Sequence, residues 1–429
     1  MTPAFTPAAF SDAIEALRAR RKPSIGDLTI WEVAVERERF AEALYREASR
    51  RRYCFEPART ALVHFDGRAR EVFRSTVLDS IMERVVGRWL QGAIEPSLSD
   101  ALWSYRTGRS SIGALGAFGD FVREHVRGNA DPKQRGLFVL RRDVASYGKS
   151  IPNGDESRLW SLLEEHVGGA EREVGMHLLR QLVRRRYMDE DEREVTLEAG
   201  SPTGSPVQPP INNLYLTPLD RALGALPGHY ARFGDDILFA TDKRDVAQEA
   251  AAMADTTIAD LGLTWSEKKT RNLYFNGAGR PELGGSGGAM SPFVGAATTE
   301  LLGYEVTFAG TIRLPRRKLR SLLETLRARL RRAARMNMGS SPERLARELV
   351  SVVRAALDRR HSLRAAQMEA LFHVDDREQL DQVDHLVRLA VAQLASGRKG
   401  PRAFRVFTPR RLRDLGLPSL VRERNQGTA

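Results

Sequence analysis

The stretch Tyr230-Ala-Arg-Phe-Gly-Asp-Asp-Ile-Leu-Phe-Ala-Thr241 carries two adjacent carboxylates, Asp235 and Asp236, between runs of apolar, strand-forming residues. Gly-Asp at the centre of such flanks predicts a β-hairpin. Successive strand residues face opposite ways, so Asp235 is expected to face a cation while Asp236 braces the turn or stands one layer behind. Gly-Asp-Asp is also an ordinary hairpin tip, and the pair gains chemical meaning only with another acid nearby. Mg²⁺ takes oxygen ligands and is held by one or two protein carboxylates beside substrate phosphates and water.

Upstream, Leu137-Phe-Val-Leu-Arg-Arg-Asp143-Val-Ala-Ser-Tyr147-Gly148-Lys-Ser-Ile151 supplies that acid. The short apolar run reads as a buried strand, with Asp143 just beyond its end. Beside the hairpin, this strand would bring Asp143 and Asp235 together. Two metal ions about 4 Å apart could then activate an attacking 3′-oxygen and stabilise leaving pyrophosphate.

Between the acids lies Gly200-Ser-Pro-Thr203-Gly204-Ser-Pro-Val-Gln-Pro-Pro-Ile-Asn-Asn213-Leu-Tyr-Leu-Thr-Pro-Leu-Asp220, which resembles the Gly-x-Pro-Gln-Gly block of reverse transcriptases and their following Asn-Leu helix. Gly262-Leu-Thr-Trp-Ser-Glu-Lys-Lys269-Thr270 resembles the family's Lys-Thr motif, and Leu301-Leu-Gly-Tyr304 its Leu-Gly hairpin. Arg70 to Val85 is similar to the first fingers motif, and Ser104-Tyr-Arg106-Thr-Gly-Arg109-Ser110 to a segment typical of bacterial and group II intron-like enzymes. The resemblance spans residues 57 to 340; a weaker one, from Asp375 to Leu420, is to retron-like and phage-defence enzymes.

The resemblance implies an α+β right-hand polymerase with fingers, an antiparallel-sheet palm with helices, and a helical thumb. It implies RNA-directed DNA polymerisation with Asp143, Asp235 and Asp236 as catalytic acids. Asp143, Asp235 and the Val144 carbonyl would hold two Mg²⁺ ions, with Mn²⁺ as a substitute. Arg70, Tyr147, Gly148, Thr203, Gly204 and Lys269 would meet the nucleotide. RNA template, DNA product and dNTPs are the implied partners, with a dedicated non-coding RNA or a partner protein also open. Anti-phage defence is an implied setting, and a template-independent or protein-primed polymerase and a non-catalytic maturase-like RNA scaffold are the alternatives. Two positions depart from the family pattern: Thr203 stands where Gln is usual, and Gly148 where an aromatic residue excludes a ribose 2′-hydroxyl. Sugar selectivity is therefore open.

Composition bounds these readings. The chain has 429 residues, 42% of them hydrophobic and 28% charged, as in globular proteins. Its net charge of +12, dominated by Arg, favours a polyanionic partner. The single Cys54 excludes an internal disulfide, His is unclustered, and no run reaches the roughly 20 apolar residues of a membrane span. A cytoplasmic protein with no membrane partner is expected.

Five segments follow: 1–56, a helical extension; 57–130, fingers; 131–300, palm with inserted finger helices and a Gly-rich loop at 277–288; 301–340, thumb; and 341–429, a helical basic region. Arg316 to Arg335 alternates a Leu stripe with arginines, so Arg317, Arg320, Arg327 and Arg331, together with Arg106 and Arg109, are expected to contact nucleic acid. Ser340-Ser-Pro-Glu343 reads as a capping box.

Overall fold

A computed structural model describes residues 3–20, 26, 28–65, 68–129, 136–189, 191–280, 292–357 and 366–422. Of the Gly-rich loop, 281–288 lies outside them. The architecture is mixed α+β. Two compact units are each built from two stretches of chain: Met1–Ala114 with Phe138–Asn272, and Leu115–Leu137 with Leu273–Ala429. Among the described residues no helix is long and apolar enough to cross a membrane.

The first unit holds two sheets. β1 (Ala58–Phe65) and β2 (Arg68–Arg74) form an antiparallel hairpin. β3 (Leu137–Asp143) belongs to the second sheet. β4 (Arg186–Met188) runs parallel to β1, and β5 (Glu194–Thr196) pairs antiparallel with β4. β6 (His229–Phe233) and β7 (Asp236–Thr241) form the hairpin expected around the acidic pair, and β7 pairs antiparallel with β3. The alternation of Arg with Val, Leu and Phe along β1 and β2 is that of a strand pair.

The helix Val77–Ile94 packs Ile81, Met82, Val85 and Trp89 inward and is capped by Thr76, whose side chain accepts from the Asp79 amide. Asp79 and Glu83 on that buried face would be costly unpaired. Arg185, just before β4, satisfies both: it lies 2.7 Å from Asp79 and pairs with Glu83. The Tyr53 hydroxyl also donates to Asp79 at 2.7 Å.

β8 (Arg271–Phe275), of which Leu273 to Phe275 fall in the second unit, runs parallel to β9 (Val294–Ala296), and in that unit β10 (Thr298–Leu301), β11 (Tyr304–Thr307) and β12 (Ile312–Arg313) form an antiparallel sheet. The helix Arg316–Met336 buries Leu319, Leu322, Leu323, Leu326 and Leu330, as the Leu stripe predicts. It packs with the helices Pro342–Leu357 and Arg377–Ser396. The capping box at Ser340 does not form. Ser341 takes the capping role, its hydroxyl accepting from the Arg344 amide at 3.4 Å, and Glu343 pairs instead with Arg411.

Candidate active site

Strand register is what assembles the acids. In the β3–β7 ladder Asp143 lies directly opposite Asp236, and in the β6–β7 ladder Phe233 lies opposite Asp236. Directly opposed residues of an antiparallel pair share a face, so the Asp143 and Asp236 side chains stand on the same side of the sheet. Asp143 is the last residue of β3 rather than one beyond it. Gly234 and Asp235 alone form the connecting turn. Gly234 has φ +67° while Asp235 does not enter the positive-φ region, the pattern of a two-residue turn with Gly first. Asp235 belongs to the turn and not to a strand, so the turn rather than strand alternation sets the direction of its side chain.

Electrostatics ties the three together. Burial pushes the Asp235 carboxyl above the usual carboxylate range, and the negative charges of Asp143 and then Asp236 push it the same way against Lys269. Asp236 is raised by burial and by Asp143, while Arg141 opposes the shift. Arg141, two residues before Asp143 on the same strand face, brings Nη2 to 3.6 Å from Asp236 Oδ1. Lys269 Nζ lies 2.5 Å from Asp143 Oδ2. Lys269 sits in a turn ahead of β8, and that turn is bound to the end of β3: the Ser266 amide donates to Asp143 O at 2.7 Å and the Ala145 amide to Thr264 O at 2.8 Å. These bonds flank the Val144–Trp265 bridge, so the carbonyl of Val144 points to the other edge, toward β7.

This donor set fits a hard divalent cation. It is all oxygen and crowded with like charge; burial first, and then the neighbouring negative charges, raise Asp235 and Asp236, and a bound cation would relieve the second of these. Among the described residues no group of three or more His, Cys, Asp or Glu is placed so that it could hold a metal ion. Mg²⁺ sites commonly use one or two protein carboxylates and leave phosphates and water to complete the shell.

Behind the acids stands a buried support whose members are far apart in sequence. Arg232, 1% exposed, points inward from β6. It donates from Nε to Asp220 Oδ1 and from Nη2 to Asp220 Oδ2, both at 2.6 Å, and to the carbonyls of Asn213 at 2.9 Å and Gly234 at 3.1 Å. The Tyr230 hydroxyl donates to the same Asp220 at 2.6 Å. Ser104 completes the brace: the Gly234 amide donates to its Oγ at 2.9 Å, and Oγ donates to Asn213 Oδ1 at 2.9 Å. The one signal available in sequence was Arg232 itself, a charge at an inward position of an apolar strand.

Gly148, Thr203 and Gly204 lie together: the Gly148 carbonyl accepts from the Ser201 amide at 2.8 Å, and Thr203 and Gly204 share contacts with Gln208. Gly200 permits this approach, since at φ +92° an added Cβ would meet the Gly148 carbonyl at 2.9 Å. Tyr147, assigned to the nucleotide, is turned into the core at 4% exposure and donates to the Asn212 carbonyl at 2.5 Å; its ring is packing beneath the site. Arg106 and Arg109, assigned to nucleic acid, are engaged within the chain. Arg106 bonds Glu95 at 2.8 Å and the Ser99 carbonyl at 2.6 Å, and Arg109 bonds Asp100 at 2.5 Å over the Trp103 ring. Arg317, Arg320 and Arg331 are exposed and Arg327 half-buried on the helix Arg316–Met336. Arg70 has its backbone in β2 opposite Val63, and its side chain lies outside the described residues.

No family model matches the sequence, and no curated protein matches it either. Solved structures similar to the chain include telomerase from Candida albicans in complex with a fragment of telomeric RNA (TM-score 0.44, 10% identity, 90% of this chain and 66% of that one). Another is telomerase from Candida tropicalis truncated from its C-terminal domain (TM-score 0.43, 9% identity, 61% of this chain and 55% of that one). The chain thus spans less than two thirds of the length of either.

Proposed function

We propose that the protein is a nucleotidyl transferase of the reverse-transcriptase type, extending a 3′ end with deoxynucleotides on an RNA template. The observation that carries this reading is the register of β3 against β7, which sets Asp143 across from Asp236 at the turn bearing Asp235. Asp143, Asp235 and Asp236 are buried or half-buried about this register point, and burial with neighbouring negative charge raises the proton affinity of the last two.

Asp143, Asp235 and the Val144 carbonyl are the residues that would hold Mg²⁺, with Asp236, on the same sheet face as Asp143, as a supporting acid. The bound ions supply charge neutralisation for the attacking and leaving oxygens. The chain itself contributes position and field. The Arg232–Asp220 brace fixes the turn, Lys269 offsets the charge of Asp143, and Arg141 that of Asp236. The exposed arginines of Arg316–Met336 suit phosphate oxygens of a duplex without reading sequence. The bacterial, phage-defence-like character rests on the motif resemblance alone.

The test is extension of a primed RNA by dNTPs with Mg²⁺. Asp143→Asn and Asp235→Asn should each lower the rate by at least roughly a hundredfold, as loss of a preorganised charge-stabilising group does, with far-UV circular dichroism unchanged. Extension by Asp235→Asn at the parental rate would remove the reading. Incorporation without RNA or primer would replace it with template-independent synthesis.

A further inference from the structure

A pocket of about 370 Å³ in the first unit has none of the three acids in its wall. It forms where the N-terminal helices meet the β1–β2 hairpin. Arg20 comes from the helix Pro7–Arg20, Ile30 from the helix Ile30–Val35, Val63 and Val72 from the hairpin, and Val77 and Arg84 from the helix Val77–Ile94. Specific contacts fix these pieces. The Ala4 and Phe5 amides donate to the Glu171 carboxylate at 2.9 and 2.8 Å, which anchors the first helix. The Phe73 amide donates to the Thr203 carbonyl at 2.9 Å, which brings Gly204 and Pro206 to the pocket. Pro206 lies so close to the helix Val77–Ile94 that a Cβ at Gly87 would meet its carbonyl oxygen at 2.8 Å.

The charge of the pocket is one-sided. Arg20, Arg74 and Arg84 line it, and Glu83 is the only carboxylate among the described lining residues. Glu83 is already satisfied, since it accepts from Ser75 Oγ and pairs with Arg185. Arg84, half-buried, has no such partner: its Nε is shut off from solvent with no acceptor among the described residues. Burial, and then the positive charges of Arg20 and Arg88, hold its proton affinity below the ordinary Arg value. A guanidinium still keeps its proton at any accessible pH, and taking one out of water without a counter-charge is costly. An anion from outside the chain removes that cost.

The walls narrow the choice of anion. Guanidinium forks suit phosphate oxygens, and adjacent arginines favour the dianion of a phosphomonoester over a singly charged diester. The pocket closes on buried Ser75, Val77 and Glu83, so it takes a small molecule or the end of a strand rather than its middle. Ile30, Val63, Val72 and Val77 give an apolar wall for the body that carries the phosphate. The volume lies near the lower end of ligand sites, which run from roughly 300 to 1,000 Å³.

We propose that this pocket binds a nucleoside 5′-monophosphate, free or as the 5′ end of a strand, with Arg84 and Arg20 on the phosphate and the apolar wall against the base. The phosphate follows from the charge and the walls; the choice of a nucleoside as its body rests on the nucleotidyl-transfer reading.

Equilibrium dialysis of the full chain against labelled AMP, in EDTA so that the metal-dependent acids take no part, tests this. AMP should bind at least about tenfold more tightly than adenosine, the scale of one hydrogen bond to a charged group, and more tightly than inorganic phosphate. Arg84→Met keeps the stem and removes the charge. It should lower AMP affinity at least about tenfold and adenosine affinity by less than about threefold, and Arg84→Lys should recover part of the loss. The urea midpoint of Arg84→Met should not fall, because the variant also removes an uncompensated charge; lost binding is thereby told from lost fold. A 5′-phosphorylated oligonucleotide that binds with the same Arg84 dependence assigns the pocket to a strand end, and one that does not bind assigns it to the free nucleotide. Equal, Arg84-dependent binding of the 5′-hydroxyl oligonucleotide would show recognition of internal diesters and overturn the proposal. Unchanged AMP affinity in Arg84→Met, AMP binding no tighter than that of adenosine or phosphate, or no AMP binding by the parent would overturn it as well. Arg84-dependent AMP binding by a chain that extends no primer would keep the pocket and remove the transfer reading, so the two fail separately.

Discussion

Asp220→Ala is the substitution whose consequence the structure defines most closely. Asp220 and Arg232 have side chains 1% and 0% exposed and meet at 2.6 Å. Truncation removes both carboxylate acceptors from Arg232 and the acceptor of the Tyr230 hydroxyl, three hydrogen bonds in all. Arg232 would retain only the carbonyls of Asn213 and Gly234. Because the guanidinium stays charged at any accessible pH, it cannot escape by losing its proton. Breaking one side of a buried pair costs about 3 to 5 kcal/mol, largely from the stranded charge. Asp220→Asn keeps one oxygen acceptor, and its loss should fall below that of Asp220→Ala. Urea unfolding followed by circular dichroism measures this, with the midpoint falling and the slope unchanged. In a double-mutant cycle, Arg232→Met should be far less damaging in the Asp220→Ala background than alone. A loss below about 1 kcal/mol for Asp220→Ala, the level of an exposed pair, would refute the reasoning.

Other outcomes follow from the same geometry. Since burial and Asp143 raise the proton affinity of Asp235 in the folded state, folding favours its protonated form: this contribution is present below the ordinary Asp value of 3.8 and is lost as pH rises through the raised folded value. Without divalent metal, Asp235→Asn should therefore melt higher than the parent at neutral pH, and the gap should close on acidification; a constant gap in a thermal melt would contradict this. Mg²⁺ should raise the melting temperature of the parent at neutral pH and that of Asp235→Asn much less. Gly200→Ala, strained at φ +92° and pressed against the Gly148 carbonyl, should lose more than about 1 kcal/mol in urea. Replacing Arg317, Arg320 and Arg331 together with Gln should reduce the slope of log affinity against log salt for an RNA–DNA duplex by about 2 to 3; an unchanged slope would place the duplex elsewhere.

Much of this protein could be read locally. The Leu stripe of Arg316–Met336 and the hairpin at Gly234-Asp235 appeared where the pattern placed them, and the strand before Asp143 did so to within one residue, taking in Asp143 itself, because periodicity, turn chemistry and apolar runs depend on near neighbours along the chain. Local reading does not show the partners that the fold brings to a residue. Arg106 and Arg109 look like phosphate ligands in sequence, yet Glu95 and Asp100 claim them. Tyr147 looks placed for a substrate, yet the Asn212 carbonyl draws it inward.

The sequence alone determined the mixed α+β class, the basic character and the identity of the acids, since each follows from residue type and spacing. Only the tertiary structure decided which acids share a face, what braces their turn, and that Arg84 stands half-buried among like charges. Those depend on strand register and on contacts between residues such as Asp143 and Lys269, far apart in the chain. A one-residue change in register would turn each side chain to the other face of its sheet, and the alternation within a single strand does not specify its partner's alignment.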